Sequence, residues 1–130
     1  ICPIMDARRN QVYTGIYRFE EKFETVKEQL AEDITVLAGM PNELGERVVF
    51  LGDGVPVYRE KIEETVKVPY VFAPPHMCRQ SAAAVGALGL VYAKEGKTEH
   101  ARDHKPDYLR MSQAERERLE REKEQQHDCP

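Results

Sequence analysis

The segment Gly52-Asp53-Gly54 has the residue types and the setting of a phosphate-binding turn. It follows a short apolar run, Arg47 to Leu51, and precedes a stretch whose apolar residues recur at helical spacing. Backbone amides at the start of a helix can bind a phosphate. The longer glycine patterns of nucleotide-binding loops are absent. We therefore favour the alternative interpretation, a tight strand-to-helix turn in which Asp53 accepts hydrogen bonds from nearby amides.

Arg8 and Arg9 form a basic pair in the polar corner between two strand-like segments. Two arginines at the rim of a sheet can contact an anion or a protein partner. The alternative is an exposed hairpin tip with surface charges, where Asp6 pairs with an arginine or caps the turn. We favour the hairpin tip and keep Arg8 and Arg9 as candidate contact residues.

Histidines and cysteines are candidate metal ligands, and a cysteine is also a candidate catalytic nucleophile. His100 and His104 would share a face on a helix, but the stretch before Pro106 has no helical periodicity and no cysteine pair has zinc spacing. Cys78, close to His76, qualifies as a nucleophile only if the fold supplies a base. We interpret the histidines as surface residues and predict no catalytic residue, no metal site and no cofactor.

The bulk composition describes a single globular domain of 130 residues with 41% apolar and 32% charged residues. The net charge of −4 argues against a domain whose main role is binding nucleic acid. Three widely spaced cysteines indicate reduced thiols in the cytoplasm, not a disulfide framework. No apolar run approaches the roughly 20 residues of a membrane span.

Three antiparallel strands are predicted first. They cover residues 2–7, 11–20 and 23–30, and Asn10 is the turn residue best able to adopt a left-handed conformation. Bulky residues on both sides of the second strand predict cover on both faces.

Helices and strands alternate after the third strand. Asp33 is a predicted N-cap, Pro41 should make the first helix irregular or restart it, and Gly45 can end it. A buried strand, a helix, a short strand and a last helix follow at residues 47–51, 57–66, 69–72 and 82–95. In the last helix we predict a buried stripe of Ala84, Val85, Leu88 and Tyr92.

This order predicts an α/β fold with a mixed sheet of about five strands, three of them antiparallel and first in the chain. It is the plan of the ribonuclease-H-like half-domain of actin-like ATPases. We assign residues 1–111 to this lobe and residues 112–130 to a charged tail. Ser112 and Glu115 fit a capping box, so the tail is predicted to be a solvated or frayed helix, with a partner-binding helix as the alternative.

Three segments in the same order resemble landmarks of the TsaB (YeaZ) family. They are Met5-Asp6-Ala7-Arg8-Arg9-Asn10-Gln11-Val12-Tyr13, Phe50-Leu51-Gly52-Asp53-Gly54-Val55, and Pro106-Asp107-Tyr108-Leu109-Arg110 with the following Ser112-Gln113-Ala114-Glu115-Arg116. Together they span most of the chain.

The resemblance implies a bacterial, cytoplasmic protein that acts in forming N6-threonylcarbamoyladenosine in tRNA. It implies a noncatalytic scaffold for the catalytic subunit TsaD, joined by the ATPase TsaE, with only indirect contact to tRNA and without the metal-binding histidines of glycoprotease relatives. The N-terminal lobe, which should carry most of the TsaD contact, is not in this chain, and the first residue is Ile1. We expect upstream sequence and weaker TsaD binding by the present chain.

Two other classes of function stay open. One is a glycoprotease-like or nucleotide-hydrolysing hydrolase, which would need a nucleophile with its base, a metal cluster or a phosphate loop. The other is an interaction lobe with an unrelated partner.

Overall fold

The computed structural model describes residues 1–21, 23–109, 115 and 118. In chain order the elements are β1 (Cys2–Asp6), β2 (Gln11–Phe19), β3 (Phe23–Asp33), α1 (Ile34–Leu44), β4 (Val48–Leu51), α2 (Val55–Thr65), β5 (Tyr70–Phe72), a 3-10 turn (Pro75–Met77) and α3 (Ala82–Lys94). The strands form one five-stranded sheet in the order β3-β2-β1-β4-β5. The β1–β2 and β2–β3 pairs are antiparallel, and the β1–β4 and β4–β5 pairs are parallel. The predicted α/β class and mixed five-stranded sheet are confirmed, and the fold is consistent with a ribonuclease-H-like half-domain.

The connection between β1 and β2 uses three consecutive left-handed residues. Arg8, Arg9 and Asn10 have φ angles of 64°, 55° and 61°, whereas the sequence pointed to Asn10 alone. The hairpin closes through the Ala7 amide, which donates to the Gln11 carbonyl at 2.9 Å. Left-handed backbone is unfavourable for residues with a Cβ, so the surrounding contacts must stabilise this turn.

Helix α1 begins and ends where the sequence indicates. Asp33 accepts a hydrogen bond from the Thr35 amide at 2.8 Å, and Gly45, with a φ of 68°, follows its end. The expected break at Pro41 is wrong, because the helix continues through this residue. Proline removes one backbone donor, but Pro41 is buried with Leu37 in the core, and this packing keeps the last turn helical.

The hydrophobic core lies on one face of the sheet, beneath α1 and α2. Alternate residues of β1, β2, β4 and β5 face it, because strand side chains alternate between the two faces, while β3 contributes Val26. Phe50 at the centre contacts Tyr70 and Phe72 of β5, with ring centroids 6.4 and 6.2 Å away. The largest fully buried side chains of the described residues are Cys2, Ile4, Val12, Ile34, Leu37, Pro41, Phe50 and Ile62.

The opposite face of the sheet is covered by neither α1 nor α2. We call it the open face and define it by Pro3, Met5, Tyr13, Tyr17 and Leu51, which line a groove of about 390 Å³. Four of these side chains are half-buried, and Met5 is 42% exposed. Cover on both faces of β2 was expected from its sequence, but among the described helices only α1 and α2 pack on the sheet, both on the same face.

Helix α3 contradicts the predicted buried stripe. Ala84, Val85, Leu88 and Tyr92 are all exposed, as is every residue from Arg79 to Tyr108. The Ser81 hydroxyl caps the helix by accepting from the Ala84 amide at 3.4 Å. The spacing of apolar residues predicts which side chains share a face of a helix. It does not predict whether another surface packs against that face and buries it.

The predicted tail at residues 112–130 lies outside the described residues apart from Glu115 and Arg118. Just before it, Tyr108 is 82% exposed and Leu109 is half-buried beside the groove on the open face. Within the described part of the chain, no helix has the length and apolar character needed to cross a membrane.

Candidate functional site

Two candidate segments that lie far apart in the sequence meet in the structure. The Asp6 amide, at the end of β1, donates to Asp53 Oδ1 at 3.2 Å. The Gly54 amide donates to the Ile4 carbonyl at 3.0 Å. We call this site the corner and define it by Asp6 to Asn10, Gly52 to Gly54, Tyr58 and Lys61.

The Gly52-Asp53-Gly54 loop packs directly against the backbone of β1. Gly52 has a φ of 104°, and a Cβ placed on it would lie 2.2 Å from the Ile4 carbonyl oxygen. The Val55 amide donates back to the Gly52 carbonyl at 3.2 Å. Asp53 also lies 3.5 Å from the side-chain amide of Gln80. The loop therefore has the geometry of a tight turn whose Gly54 and Val55 amides are bonded within the protein.

Tyr58 binds the carboxylate of Asp6 from the buried side of the corner. Its hydroxyl donates to Asp6 Oδ1 at 2.7 Å, and the Arg8 amide donates to the same oxygen at 2.8 Å. The hydrogen bond from Tyr58, with that from the Arg8 amide, lowers the pKa of Asp6 below its usual range. Burial, together with the bond to Asp6, raises the pKa of Tyr58 to about 12.

Tyr58 was missed as a site residue in the sequence. Its spacing with Ile62 indicated only that the two residues share a face of the helix predicted at residues 57–66, and the structure leaves Tyr58 6% exposed. Its polar partner lies 52 residues away in the chain. No local sequence pattern identifies a partner this distant. The general rule that a buried tyrosine hydroxyl needs a hydrogen-bond partner says only that one exists.

Asn10 connects the corner to both packed helices. Its side-chain oxygen accepts from Lys61 Nζ of α2 at 2.8 Å. Its carbonyl accepts from the Ile34 amide, the first residue of α1, at 2.8 Å. These contacts fix the last left-handed residue of the turn.

The two arginines of the corner lie at the surface. The Arg8 side chain is 87% exposed, and its guanidinium lies 3.5 Å from Asp6 Oδ2. Arg9 is exposed as well. Asp6 thus both pairs with Arg8 and binds the amide of the turn, the two roles that the sequence left open for it.

Cys78 and Asp53 of the corner line the same pocket, whereas the described histidines lie at the surface. His100 and His104 are exposed, and His104 Nδ1 pairs with the Glu99 carboxylate. Cys78 Sγ lies 4.0 Å from the Ala73 carbonyl. Over residues 1–21 and 23–109, no group of three His, Cys, Asp or Glu side chains is arranged to bind a metal ion.

Comparison with known proteins decides the family. No protein-family model matches the chain. The tRNA threonylcarbamoyladenosine biosynthesis protein TsaB of Bacillus subtilis (strain 168) is 30% identical to it over 127 residues, which cover 95% of this chain. The chain belongs to the TsaB family. It covers 52% of the B. subtilis protein, so it spans about half the length of that relative and corresponds to the C-terminal part of a TsaB protein.

The corner includes parts of two of the three segments that indicated the TsaB family. Asp6 to Asn10 belong to the first segment and Gly52 to Gly54 to the second. Their hydrogen bonds join β1 to the loop before α2. The described part of the third segment includes Leu109, which lies beside the groove on the open face.

Proposed function

We propose that this chain takes part in forming N6-threonylcarbamoyladenosine in tRNA, as the C-terminal lobe of a noncatalytic scaffold for TsaD. The observation that carries the proposal is the similarity, over 95% of the chain, to a protein named for this biosynthesis. In the full-length protein the partners are TsaD and TsaE, the contact with tRNA is indirect, and the complex works in the cytoplasm. The lobe comprises residues 1–111, and residues 112–130 form an extension.

The chemistry of the corner favours a scaffold over a hydrolase. Asp6 Oδ1 is already bound by Tyr58 and Arg8. Tyr58, with a pKa of about 12, keeps its proton at neutral pH and is a poor base. The Gly54 amide, which a phosphate would need, is bonded to the Ile4 carbonyl. These groups stabilise the connection between β1 and α2.

Arg8 and Arg9 are the residues of the corner that we assign to partner contact. The Arg8 side chain is 87% exposed and Arg9 is exposed, while the backbone beneath them is bonded to α1 and α2 through Asn10. A fixed backbone lowers the entropic cost of binding. Both guanidiniums can pair with carboxylates of a protein partner.

The test reconstitutes tRNA modification with purified TsaD, TsaE, tRNA and threonylcarbamoyl-adenylate. One reaction contains the 130-residue chain, and another contains the same chain fused behind the N-terminal half of B. subtilis TsaB. We expect the fusion to bind TsaD and to support modification measured by mass spectrometry, with much weaker TsaD binding by the chain alone. Equal TsaD affinity with and without the upstream half would overturn the placement of the interface, and no modification with the fusion would overturn the function.

Two variants of the fusion examine the site. Replacing Arg8 and Arg9 with Ala should weaken TsaD binding, whereas Arg102→Ala should not, because Arg102 is an equally exposed arginine far along the chain, paired with Asp103. The hydrolase alternative predicts ATP hydrolysis by the chain that disappears in Asp53→Ala. Robust ATP hydrolysis that disappears in Asp53→Ala would refute the scaffold proposal.

A further inference from the structure

The pocket that Asp53 shares with Cys78 lies at the carboxyl ends of two parallel strands. Asp53 follows β4, Ala73 and Pro74 follow β5, and all three line a cavity of about 1280 Å³. In open α/β sheets, ligands bind in the crevice outside the carboxyl ends of the strands. The volume exceeds the roughly 300–1,000 Å³ of typical small-molecule sites, so a small organic molecule fits inside it.

The lining of this pocket is positively charged, although the chain as a whole has a net charge of −4. Its charged residues are Arg59, Arg79 and Asp53, two cations against one anion. The Asp53 carboxylate is already engaged within the protein. Its Oδ1 accepts from the Asp6 amide at 3.2 Å, and its Oδ2 lies 3.5 Å from the side-chain amide of Gln80. The two guanidiniums are therefore the groups of the pocket that remain for a ligand, and they suit an anion.

Arg59 is held in place by two contacts. Its guanidinium lies over the ring of Phe72, 4.4 Å from the centroid, and its Nε donates to Glu63 at 2.9 Å. Within the described part of the chain, its two Nη nitrogens have no hydrogen-bond partner. A guanidinium presents its donors as a planar fork that matches a carboxylate, and a side chain that is already fixed loses less entropy on binding.

Arg79 supplies the second cation from the linker between β5 and α3. It is exposed, and among the described residues none forms an ion pair with it. Val71, Pro74 and Pro75 give the same pocket an apolar wall. Because Asp53 repels further negative charge, the lining favours a single carboxylate over a group with several negative charges.

We propose that this pocket binds a small monocarboxylate with an apolar body. The carboxylate pairs with Arg59 and Arg79, and the apolar body packs against the wall formed by Val71, Pro74 and Pro75. A few placed polar groups in a largely apolar cavity are typical of small-molecule sites. The site goes beyond the proposed function and does not rest on it.

The first test titrates the isotope-labelled chain with sodium benzoate at constant ionic strength. We expect saturable shifts in the NMR signals of the Arg59 and Arg79 side chains. Benzamide, which lacks the charge, and acetate, which lacks the apolar body, should each bind about tenfold more weakly or less. No saturable shift with benzoate would overturn the proposal. Tighter binding of phenyl phosphate than of benzoate would overturn the assignment to a monocarboxylate.

Two variants separate the geometry of the site from its charge. Arg79→Gln should weaken benzoate binding about tenfold, because a charge-assisted hydrogen bond is lost. Arg59→Lys keeps the charge but loses the planar fork, so it should weaken binding by a similar factor. Arg102→Gln is the matched control, because Arg102 is an exposed arginine outside the pocket, paired with Asp103. Unchanged binding in Arg79→Gln, or an equal loss in Arg102→Gln, would contradict the site, and circular dichroism checks that each variant is folded.

The last test repeats the benzoate titration on the fusion with the N-terminal half of B. subtilis TsaB. We expect the fusion to bind benzoate as the chain does. Loss of binding in the fusion would show that the upstream half fills the pocket and would overturn the site. TsaD is absent from both titrations, so their outcome does not depend on the scaffold role.

Discussion

The hydroxyl of Tyr58 donates a hydrogen bond to the carboxylate of Asp6 at 2.7 Å, although the two residues lie 52 positions apart in the chain. The bond joins the first turn of α2 to the end of β1. It orients the carboxylate, which in turn accepts from the Arg8 amide and fixes the start of the left-handed turn. The surface that displays Arg8 and Arg9 thus depends on a side chain inside the protein.

Replacing Tyr58 with Phe removes this bond with little change in volume. We expect the free energy of unfolding to fall by about 1–2 kcal/mol, because the lost donor served a charged acceptor. Urea unfolding at neutral pH measures the loss. Tyr108→Phe, at an 82% exposed tyrosine, is the control and should have no effect. A double-mutant cycle with Asp6→Ala, which removes the acceptor, isolates the pair, and zero coupling would contradict the assignment.

The same pair predicts how stability depends on pH. The folded pKa of Asp6 is lowered, so its contribution is present at neutral pH and disappears as the pH falls through that value, below 3.8. The folded pKa of Tyr58 is raised from 10.0 to about 12, so its contribution is present below pH 10.0 and disappears as the pH rises to about 12. The stability difference between the parent chain and Tyr58→Phe should therefore be largest near neutral pH and shrink at both extremes, as urea unfolding over a pH series would show.

Gly52 is the glycine at which a side chain would be most damaging. Its φ of 104° is unfavourable for other residues, and a Cβ would lie 2.2 Å from the Ile4 carbonyl oxygen. We expect Gly52→Ala to destabilise the fold by about 2–4 kcal/mol. Gly39→Ala is the matched control, since nothing lies within 4 Å of that Cβ in α1. It should stabilise by about 0.5–1 kcal/mol, and thermal unfolding compares the two.

The order of the strands and helices could be predicted because each has local signals. Asp33 accepts from the Thr35 amide of its helix, as its prediction as an N-cap indicated. Gly45 ends α1 as predicted, because it adopts the left-handed conformation that is common after the last residue of a helix. The break expected at Pro41 was wrong because burial in the core, which depends on distant residues, outweighed a local preference.

The contacts of the site could not be predicted from the sequence, because they join distant segments. Asp6 and Asp53 were each identified as residues of a turn, but their hydrogen bond links positions 47 residues apart. The error at Val85 and Leu88 has a related cause. Their spacing correctly places them on one side of α3, but burial also requires a second surface, and the described part of the chain does not bring one to them.

The thiol of Cys2 should be inert in the folded protein. Cys2 is fully buried at the start of β1, and burial raises its pKa to about 11. In a chain with Cys78→Ser and Cys129→Ser, we expect a thiol reagent to modify Cys2 only at the rate of unfolding. Adding urea should accelerate the reaction in parallel with loss of structure. Rapid modification under native conditions would show that the N-terminal strand opens locally.

The left-handed turn predicts an unusual order of stability at position 9. Arg9 has a φ of 55°, a conformation that glycine adopts freely and that residues with a Cβ disfavour. Arg9→Gly and Arg9→Ala both remove the charged side chain, so their difference reports the backbone. We expect the glycine variant to be more stable by about 1 kcal/mol, the reverse of the usual preference for alanine over glycine within a helix. Thermal unfolding of both variants measures this difference, and a more stable alanine variant would show that residue 9 does not need a left-handed backbone.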